Sequence, residues 1–393
     1  MPRENVVDLI RQSKPIDVTR PVQSDDVRGR TIVITGGASG FGASFARHWA
    51  AHGAHLIIGD IQDQAGEALV AELRSIPGAS PHQHYRHCDV ASWESQDAFF
   101  RDAASLSPHG GLDDVVANAG VSDNDFSFCR AEEKRGAGKS DATTGPDKPD
   151  LKCLDINLVG TAYTAHLAMY WLARNPGSTA SALGRPRTPG GGGPPHRDRH
   201  LLLVGSVASL WPVAQATQYT ASKHAVLGLF RALRGVAGWQ AGVRVNLLCP
   251  YIVATGIVPP VARVALAGAA VGHVDAAVEA GTRLVADASV VGRALVVGPK
   301  VRVRDDGQTC EVTELLPQGG FAADDDENGK RSGDAGGCVT SSWEAYAHDY
   351  ELVEVTNRRI LRMLNQIEAM RGWAGWARDI VMAVGMMLGL VKD

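Results

Sequence analysis

No Cys-x-x-Cys pair occurs in this chain, and its six cysteines (Cys88, Cys129, Cys153, Cys249, Cys310 and Cys338) are scattered without the histidine-flanked spacing of a metal site. That argues against a disulfide framework and a bound metal, and reads as reduced thiols inside a cell. A basic block is missing too. Lysine and arginine number 39 against 43 aspartates and glutamates, a net charge of −4, which leaves no electrostatic ground for a nucleic-acid partner. Met1 to Arg28 is polar and lacks an apolar core of signal-peptide length, so the expectation is a cytoplasmic protein. The apolar run Ile380 to Val391 has twelve residues, short of the roughly 20 that span a bilayer. A tail helix packed on the body or on a partner subunit is expected there, with a weak membrane contact through Trp373 and Trp376 as the lesser reading.

What the chain does have is alternation. Apolar runs read as strands near Thr31–Thr35, Leu56–Asp60, Tyr85–Cys88, Asp114–Asn118, His200–Gly205, Arg244–Cys249 and Arg293–Val297. Helical stretches lie between them: from about Phe41, then Gln64–Ser75, Trp93–Ser105, Leu151–Arg174 and Tyr219–Trp239. This order predicts a parallel sheet with helices on both faces. Two polar stretches, about 122–150 and 175–199, read as insertions; the second holds five prolines and six glycines, which preclude regular structure. Residues 300–342, with the acidic run Asp324–Glu327, read as a disordered linker before a helical tail over 343–393. The expected organisation is an N-terminal extension over 1–28, one α/β domain over 29–299, that linker and that tail.

Thr35-Gly36-Gly37-Ala38-Ser39-Gly40-Phe41-Gly42 follows the first strand and opens the first helix. Free N–H groups at such a helix start, with glycines that admit close approach, suit a pyrophosphate. Asp60 ends the second strand, 18 residues after Gly42. A carboxylate there can accept from an adenosine ribose; capping the next helix is the plainer alternative. Tyr219 and Lys223 stand one helical turn apart, on one face. An ammonium beside a phenol favours the phenolate, making Tyr219 a candidate proton shuttle. Ser206 and Ser209 both lie on the preceding loop, and the 13-residue spacing to Tyr219 favours Ser206.

In order, these landmarks resemble the short-chain dehydrogenase/reductase family over roughly Arg30 to Pro299. Thr35, Gly36, Gly40 and Gly42 fill its Thr-Gly-x-x-x-Gly-x-Gly motif, Asp89-Val90 looks like the pair beside the adenine, and Asn118-Ala119-Gly120 matches the motif after the fourth strand. Asn157 resembles the helix asparagine of the active site. Pro250-Tyr251-Ile252-Val253-Ala254-Thr255 is similar to Pro-Gly-x-Val-x-Thr. Two positions depart from the pattern: Gly205 where many relatives have serine, and Tyr251 where glycine is usual.

The resemblance implies a Rossmann-type doubly wound sheet and hydride transfer between a nicotinamide and a secondary alcohol or ketone. It assigns Tyr219 as proton donor and acceptor, Lys223 to the phenol and the ribose, Ser206 to the substrate oxygen, and Asn157 to a water. Cofactor contacts are expected at Thr35, Gly36, Ser39, Gly40, Phe41, Gly42, Asp60, Ile61, Asp89, Val90, Asn118, Ala119, Gly120, Tyr219, Lys223, Pro250, Val253 and Thr255. Asp60, with no Lys or Arg at Ala38, Ser39, Ile61 or Gln62, favours NAD, with NADP as the alternative. The apolar region 257–291 is expected to cover a small hydrophobic substrate, and secondary metabolism is the expected setting. A non-redox step or nucleotide sensing on the same fold is the competing reading. Apolar residues on more than one face of Leu151–Arg174 and Tyr219–Trp239 imply a homodimer, or a tetramer built from it.

Overall fold

The structure, a computed structural model, describes residues 12–123, 149–178, 197–213, 216–253, 271–307, 310–316 and 337–345, with isolated helical positions at 366 and 370. Thr31–Thr35 (β1) is buried along its whole length, the pattern of a strand covered on both faces. Ile32 and Ile34 enter one apolar cluster and Val33 the other, as the two-residue period requires. Around β1 lie β2 (His55–Asp60), β3 (Gln83–His87), β4 (Asp114–Ala117), β5 (His200–Val204), β6 (Arg244–Pro250) and β7 (Ala294–Asp305). Their order is β3-β2-β1-β4-β5-β6-β7, all parallel.

Helices α1 (Gly40–Ala51), α2 (Asp63–Ser75), α3 (Trp93–Leu106), α4 (Thr161–Ala173), α5 (Thr217–Arg234) and α6 (Val274–Ala286) supply the covering layers. On one face Phe45 and Trp49 of α1, stacked at 5.0 Å, join Leu69 and Leu73 of α2 and Leu284 of α6. On the other, Phe99 and Phe100 of α3 meet Leu167 and Leu172 of α4 and Val226 and Phe230 of α5. Each such side chain removed from water contributes about 1.5–3 kcal/mol, so the two clusters hold the layers together. The chain runs from β1 to β2 and β3 on one side and crosses from β3 to β4 on the other side of β1, and the crevice at that reversal is where such sheets bind nucleotides.

Several expectations need correction. The helix foreseen over Leu151–Arg174 is present as a continuous helical run from Lys152 to Ala173, but its hydrogen bonding changes: a π-helical segment, Asp155–Gly160, lies between the first turn, Lys152–Leu154, and α4. The covering region 257–291 contains α6, whose Ala277, Leu284 and Val285 sit in the core and whose Thr282 accepts from the Trp49 indole at 2.9 Å. That helix is a structural layer, and residues 254–270 lie outside the described set.

Nor do residues 300–342 form only a linker. β7 continues to Asp305, and β8 (Cys310–Leu315) and β9 (Cys338–Glu344) pair with it antiparallel. Charged residues mislead there because β8 is exposed on both faces, so its sequence carries little apolar signal. Residues 317–336 are outside the described set. The boundary at 342 falls inside β9, where Glu344 forms a buried pair with Arg293 at 2.8 Å.

The flanks of both insertions are also fixed. Asp198 is buried and bridges Arg30 at 2.6 Å and Arg244 at 2.8 Å, and Asn175 donates to Asp113 at 2.8 Å. The two arginines also reach the Val285 carbonyl at the end of α6, where cations suit the helix dipole. Asp123 is likewise buried. In the N-terminal extension Ile16 and Val18 pack on the core, and the Ile16 amide donates to Glu344 at 2.8 Å.

These elements form one compact unit, Ser13–Ala347, and a second unit combines Met1–Gln12 with His348–Asp393. The helical tail expected over 343–393 lies almost wholly outside the described residues. No helix among the described residues is long and apolar enough to cross a membrane.

Candidate active site

Gly36, at φ +64°, carries the chain away from β1 so closely to the next loop that a Cβ would stand 2.6 Å from the Ala119 Cα. Asn118 locks this approach by donating to the carbonyls of Thr35 at 3.1 Å and Gly36 at 2.8 Å. The Thr35 hydroxyl in turn accepts from the Asn118 amide at 3.3 Å. A Cβ on Gly42 would lie 2.5 Å from the Gly36 carbonyl oxygen, so α1 must start with glycine there. Gly40 is different: its φ is +53° and a Cβ would meet nothing within 4 Å. Ser39 caps α1 with no side-chain hydrogen bond, whereas Ser92 caps α3 by accepting from Ser95. The first turn of α1 therefore keeps amide donors beside open space, the chemistry a pyrophosphate needs. The residues present fit a dinucleotide.

Asp60, buried at the end of β2, accepts from the Ala38 amide and the Gln62 amide, each at 3.0 Å. Its carboxylate thus ties the Gly-rich turn to the start of α2, combining the capping role with a position at the crevice. Ile61 beside it is 59% exposed. Phe41 turns toward the core and stacks on Phe45 at 6.5 Å. Asp89 accepts from the Ala91 amide at 2.9 Å. The Val90 carbonyl accepts from Gln96 at 2.7 Å, and the same Gln96 amide donates to Gly160 at 2.9 Å. Gln96 so links the Asp89-Val90 turn to the π-helical segment that carries Asn157.

The candidate catalytic side chains lie around the loop after β5 and the start of α5. Ser206 follows β5 and caps the short helix Val207–Ser209, accepting from Ala208 at 3.1 Å. Its hydroxyl is close enough to the Tyr219 phenol to favour the ionised form. Ser209 instead receives the Ser206 amide at 3.2 Å, a supporting place that separates the two serines. Lys223 Nζ lies 5.8 Å from the Tyr219 ring and donates to the Val204 carbonyl at 3.0 Å. Asn157 clamps Val121, accepting from its amide and donating to its carbonyl, each at 2.8 Å, and also reaches Ser222 at 3.1 Å. A Cβ on Gly120 would stand 3.3 Å from Asn157 Oδ1 and 3.5 Å from Lys223 Nζ, so all three converge. Pro250 and Val253 hold the loop after β6: the Pro250 carbonyl accepts from Ser206 at 3.5 Å, and Val253 is buried against Gly272. Thr255 lies outside the described residues.

The electrostatics depart from the expectation. Burial, the largest cause, pushes the Tyr219 phenol above its ordinary range, and the Ser206 hydrogen bond opposes it. Burial also pushes Lys223 down to about 8. Burial thus moves both groups toward their neutral forms, Lys223 still holding its proton at neutral pH.

The departures from the family pattern have local reasons. A Cβ on Gly205 would come 2.8 Å from Ser209 Oγ and 3.3 Å from Cys249 Sγ, so a serine there would displace the group that holds Ser206. Tyr251 packs edge-on to Trp211 at 5.6 Å. Trp343 of β9 stands behind Gly298, beside the Tyr251 Cβ. Sequence reading missed Asp123, whose carboxylate accepts from the amides of Gln218 at 2.7 Å and Tyr219 at 2.9 Å. The signal was available, since an aspartate at a helix start is a cap, but the residue is distant in sequence from the helix it caps.

Comparison with known proteins agrees with this geometry. The family model described as short chain dehydrogenase matches residues 30–181 and 199–264. The chain is 34% identical over 302 residues to 5'-hydroxyaverantin dehydrogenase of Emericella nidulans, covering 73% of this chain and 89% of that protein. It is 32% identical over 254 residues to an NADP-dependent dehydrogenase of Cochliobolus lunatus, covering 64% and 80%. A solved short-chain type dehydrogenase/reductase from Mycobacterium marinum shares the fold with a TM-score of 0.53 at 20% identity, covering 69% and 95%. A family match across more than half of the chain, on a sheet with this strand order and this Gly-rich turn, establishes the protein as a member of the short chain dehydrogenase family, an NAD(P)-dependent oxidoreductase.

Proposed function

We propose that the protein interconverts a secondary alcohol and a ketone on a small hydrophobic secondary metabolite, with Ser206, Tyr219, Lys223 and Asn157 as its catalytic set. The observation that carries this reading is the convergence of Lys223 on the Tyr219 ring at 5.8 Å and on Asn157 across Gly120, with Ser206 at the start of the adjoining loop. When bound, the nicotinamide supplies or takes the hydride. The Tyr219 hydroxyl gives its proton to the ketone oxygen in reduction and takes it back in oxidation. Ser206 donates a hydrogen bond to the same oxygen, stabilising the charge that grows there. Lys223, pushed down to about 8, can hand on a proton near neutral pH. Asn157 holds the Val121 backbone and so fixes the loop that separates cofactor and catalytic sides.

Asp60 supports NAD, since its carboxylate suits a ribose diol and repels a 2′-phosphate. A relative named for NADP keeps that cofactor as the alternative. The name of the Emericella nidulans relative supports a hydroxylated secondary metabolite as substrate. Exposed Val159 and Tyr170, on the π-helical segment and α4, support a homodimer or a tetramer built from it, and a cytoplasmic setting belongs to the same proposal.

The test is Tyr219→Phe, followed at 340 nm with a panel of hydrophobic secondary alcohols and ketones. Turnover is expected to fall by about 10²–10⁴-fold, while dinucleotide affinity stays within twofold of wild type by about 0.4 kcal/mol. Full activity in the variant would remove Tyr219 from the chemistry.

A further inference from the structure

The catalytic helix α5 begins at Thr217, and a residue from the far side of the site holds its first turn. Asp123 lies three residues beyond the Asn118-Ala119-Gly120 motif, 9% exposed. Its two carboxylate oxygens are used separately: Oδ2 accepts from the Gln218 amide at 2.7 Å and Oδ1 from the Tyr219 amide at 2.9 Å. Those are donors that no carbonyl within a helix can satisfy at its first turn. The local residue in the capping position, Ala216, offers no side-chain acceptor. The Gln218 side chain then donates to the Asp150 carbonyl at 2.7 Å. The same turn is therefore tied to residues 123 and 150.

We infer that Asp123 is a positioning residue for the reaction, which fixes the backbone of Tyr219 and sets a carboxylate at its amide. The inference rests on Tyr219 as the proton-transferring group. Hydrogen bonding to a helix start acts along the dipole, so a carboxylate is favoured there over a neutral acceptor. Its charge has a second effect. The groups whose charge or hydrogen bonding acts on the phenol are Ser206 from the loop after β5, Cys153 from the turn before the π-helical segment, Cys249 from β6, and Asp123, with Lys223 of α5 itself 5.8 Å from the ring. Among them Asp123 is the carboxylate, held at the Tyr219 amide, and it opposes phenolate formation. The same carboxylate that orients Tyr219 thus holds its proton on, which favours the acid form needed to reduce a ketone.

The test compares Asp123→Asn and Asp123→Ala in the full chain, measuring kcat for alcohol oxidation against pH, cofactor Kd by fluorescence and the folded fraction. Oxidation needs the phenolate, so its rate climbs with pH as Tyr219 ionises. Asp123→Asn keeps one of the two acceptors and loses the other with the charge, and the midpoint of that climb is expected to move to lower pH. Asp123→Ala is expected to lose about 10-fold or more in kcat per folded enzyme, through misplacement of the phenol, with cofactor Kd unchanged. A loss accounted for by the folded fraction alone, with the midpoint unmoved in both variants, overturns the inference. If the alanine variant does not fold, the midpoint of the asparagine variant decides by itself. Wild-type activity in Tyr219→Phe would instead overturn the assignment of Tyr219, whatever the Asp123 variants do.

Discussion

Lys223 Nζ donates to the Val204 carbonyl at 3.0 Å, so the ammonium on α5 is anchored to the end of β5, two residues before Ser206. The bond holds a buried cation that pairs with no carboxylate among the described residues, and burial pushes its pKa down to about 8. An exposed lysine keeps its proton to about 10.4. Tyr219, pushed up, stays protonated over the same range. Ketone reduction needs protons on both groups, so kcat/KM should be level below neutral pH and fall as pH rises through about 8. A profile without an inflection from pH 7 to 9 would show that Lys223 takes no part in proton transfer.

Asp60 offers a direct measure of cofactor choice. Its carboxylate already accepts from Ala38 and Gln62. Removing it therefore loosens the Gly-rich turn as well as removing the charge that repels a 2′-phosphate. Asp60→Ala is expected to weaken NAD by about tenfold or more, the loss of a charge-assisted hydrogen bond, and to weaken NADP less. Both affinities must be taken at one salt concentration, because phosphate attraction is screened. A wild-type preference for NADP would reverse the assignment.

The parallel core was legible because each of its signals is local. The buried run of β1 and the glycines of the Gly-rich turn need only a few consecutive residues to be read, and Tyr219 and Lys223 declare themselves by one turn of helix. What failed depends on distant partners. Asp198 looks like loop composition until Arg30 and Arg244 close on it. Asp123 looks like part of a polar insertion until α5 arrives above it. β8 carries no apolar alternation because neither face is covered, and β9 declares itself only by pairing with β7. Burial of Tyr219 is also a tertiary property, and it reversed the sign expected from the neighbouring lysine alone.

Gly205 tests whether the serine found in many relatives is compatible with this site. Its missing Cβ leaves room for Ser209 Oγ, which accepts from the Ser206 amide at 3.2 Å. Gly205→Ser should push Ser209 aside and lower kcat by about tenfold, as for a small misplacement of a catalytic group. Adding Ser209→Ala should relieve the clash and recover part of the loss, giving a double-mutant coupling of about 0.5–3 kcal/mol. Additive effects would show that the two positions do not compete for space.

Glu344 joins three parts of the chain that sequence alone does not connect. Its Oε1 accepts from Arg293 Nε and from the Ile16 amide, both at 2.8 Å, and pairs with Arg293 Nη2 at 2.8 Å. Both side chains are 1% exposed. Burial raises the Glu344 carboxyl above its ordinary value, while the Arg293 charge pulls it down. Removing one partner leaves the other charge buried without compensation, which costs about 3–5 kcal/mol. Glu344→Ala should therefore lower the urea midpoint sharply, and Glu344→Gln, which keeps an acceptor, should lower it less. The expected loss identifies β9 as part of the folded core. A change within about 0.5 kcal/mol, the range of ordinary surface substitutions, would show that residues 337–345 attach to a body that is stable without them.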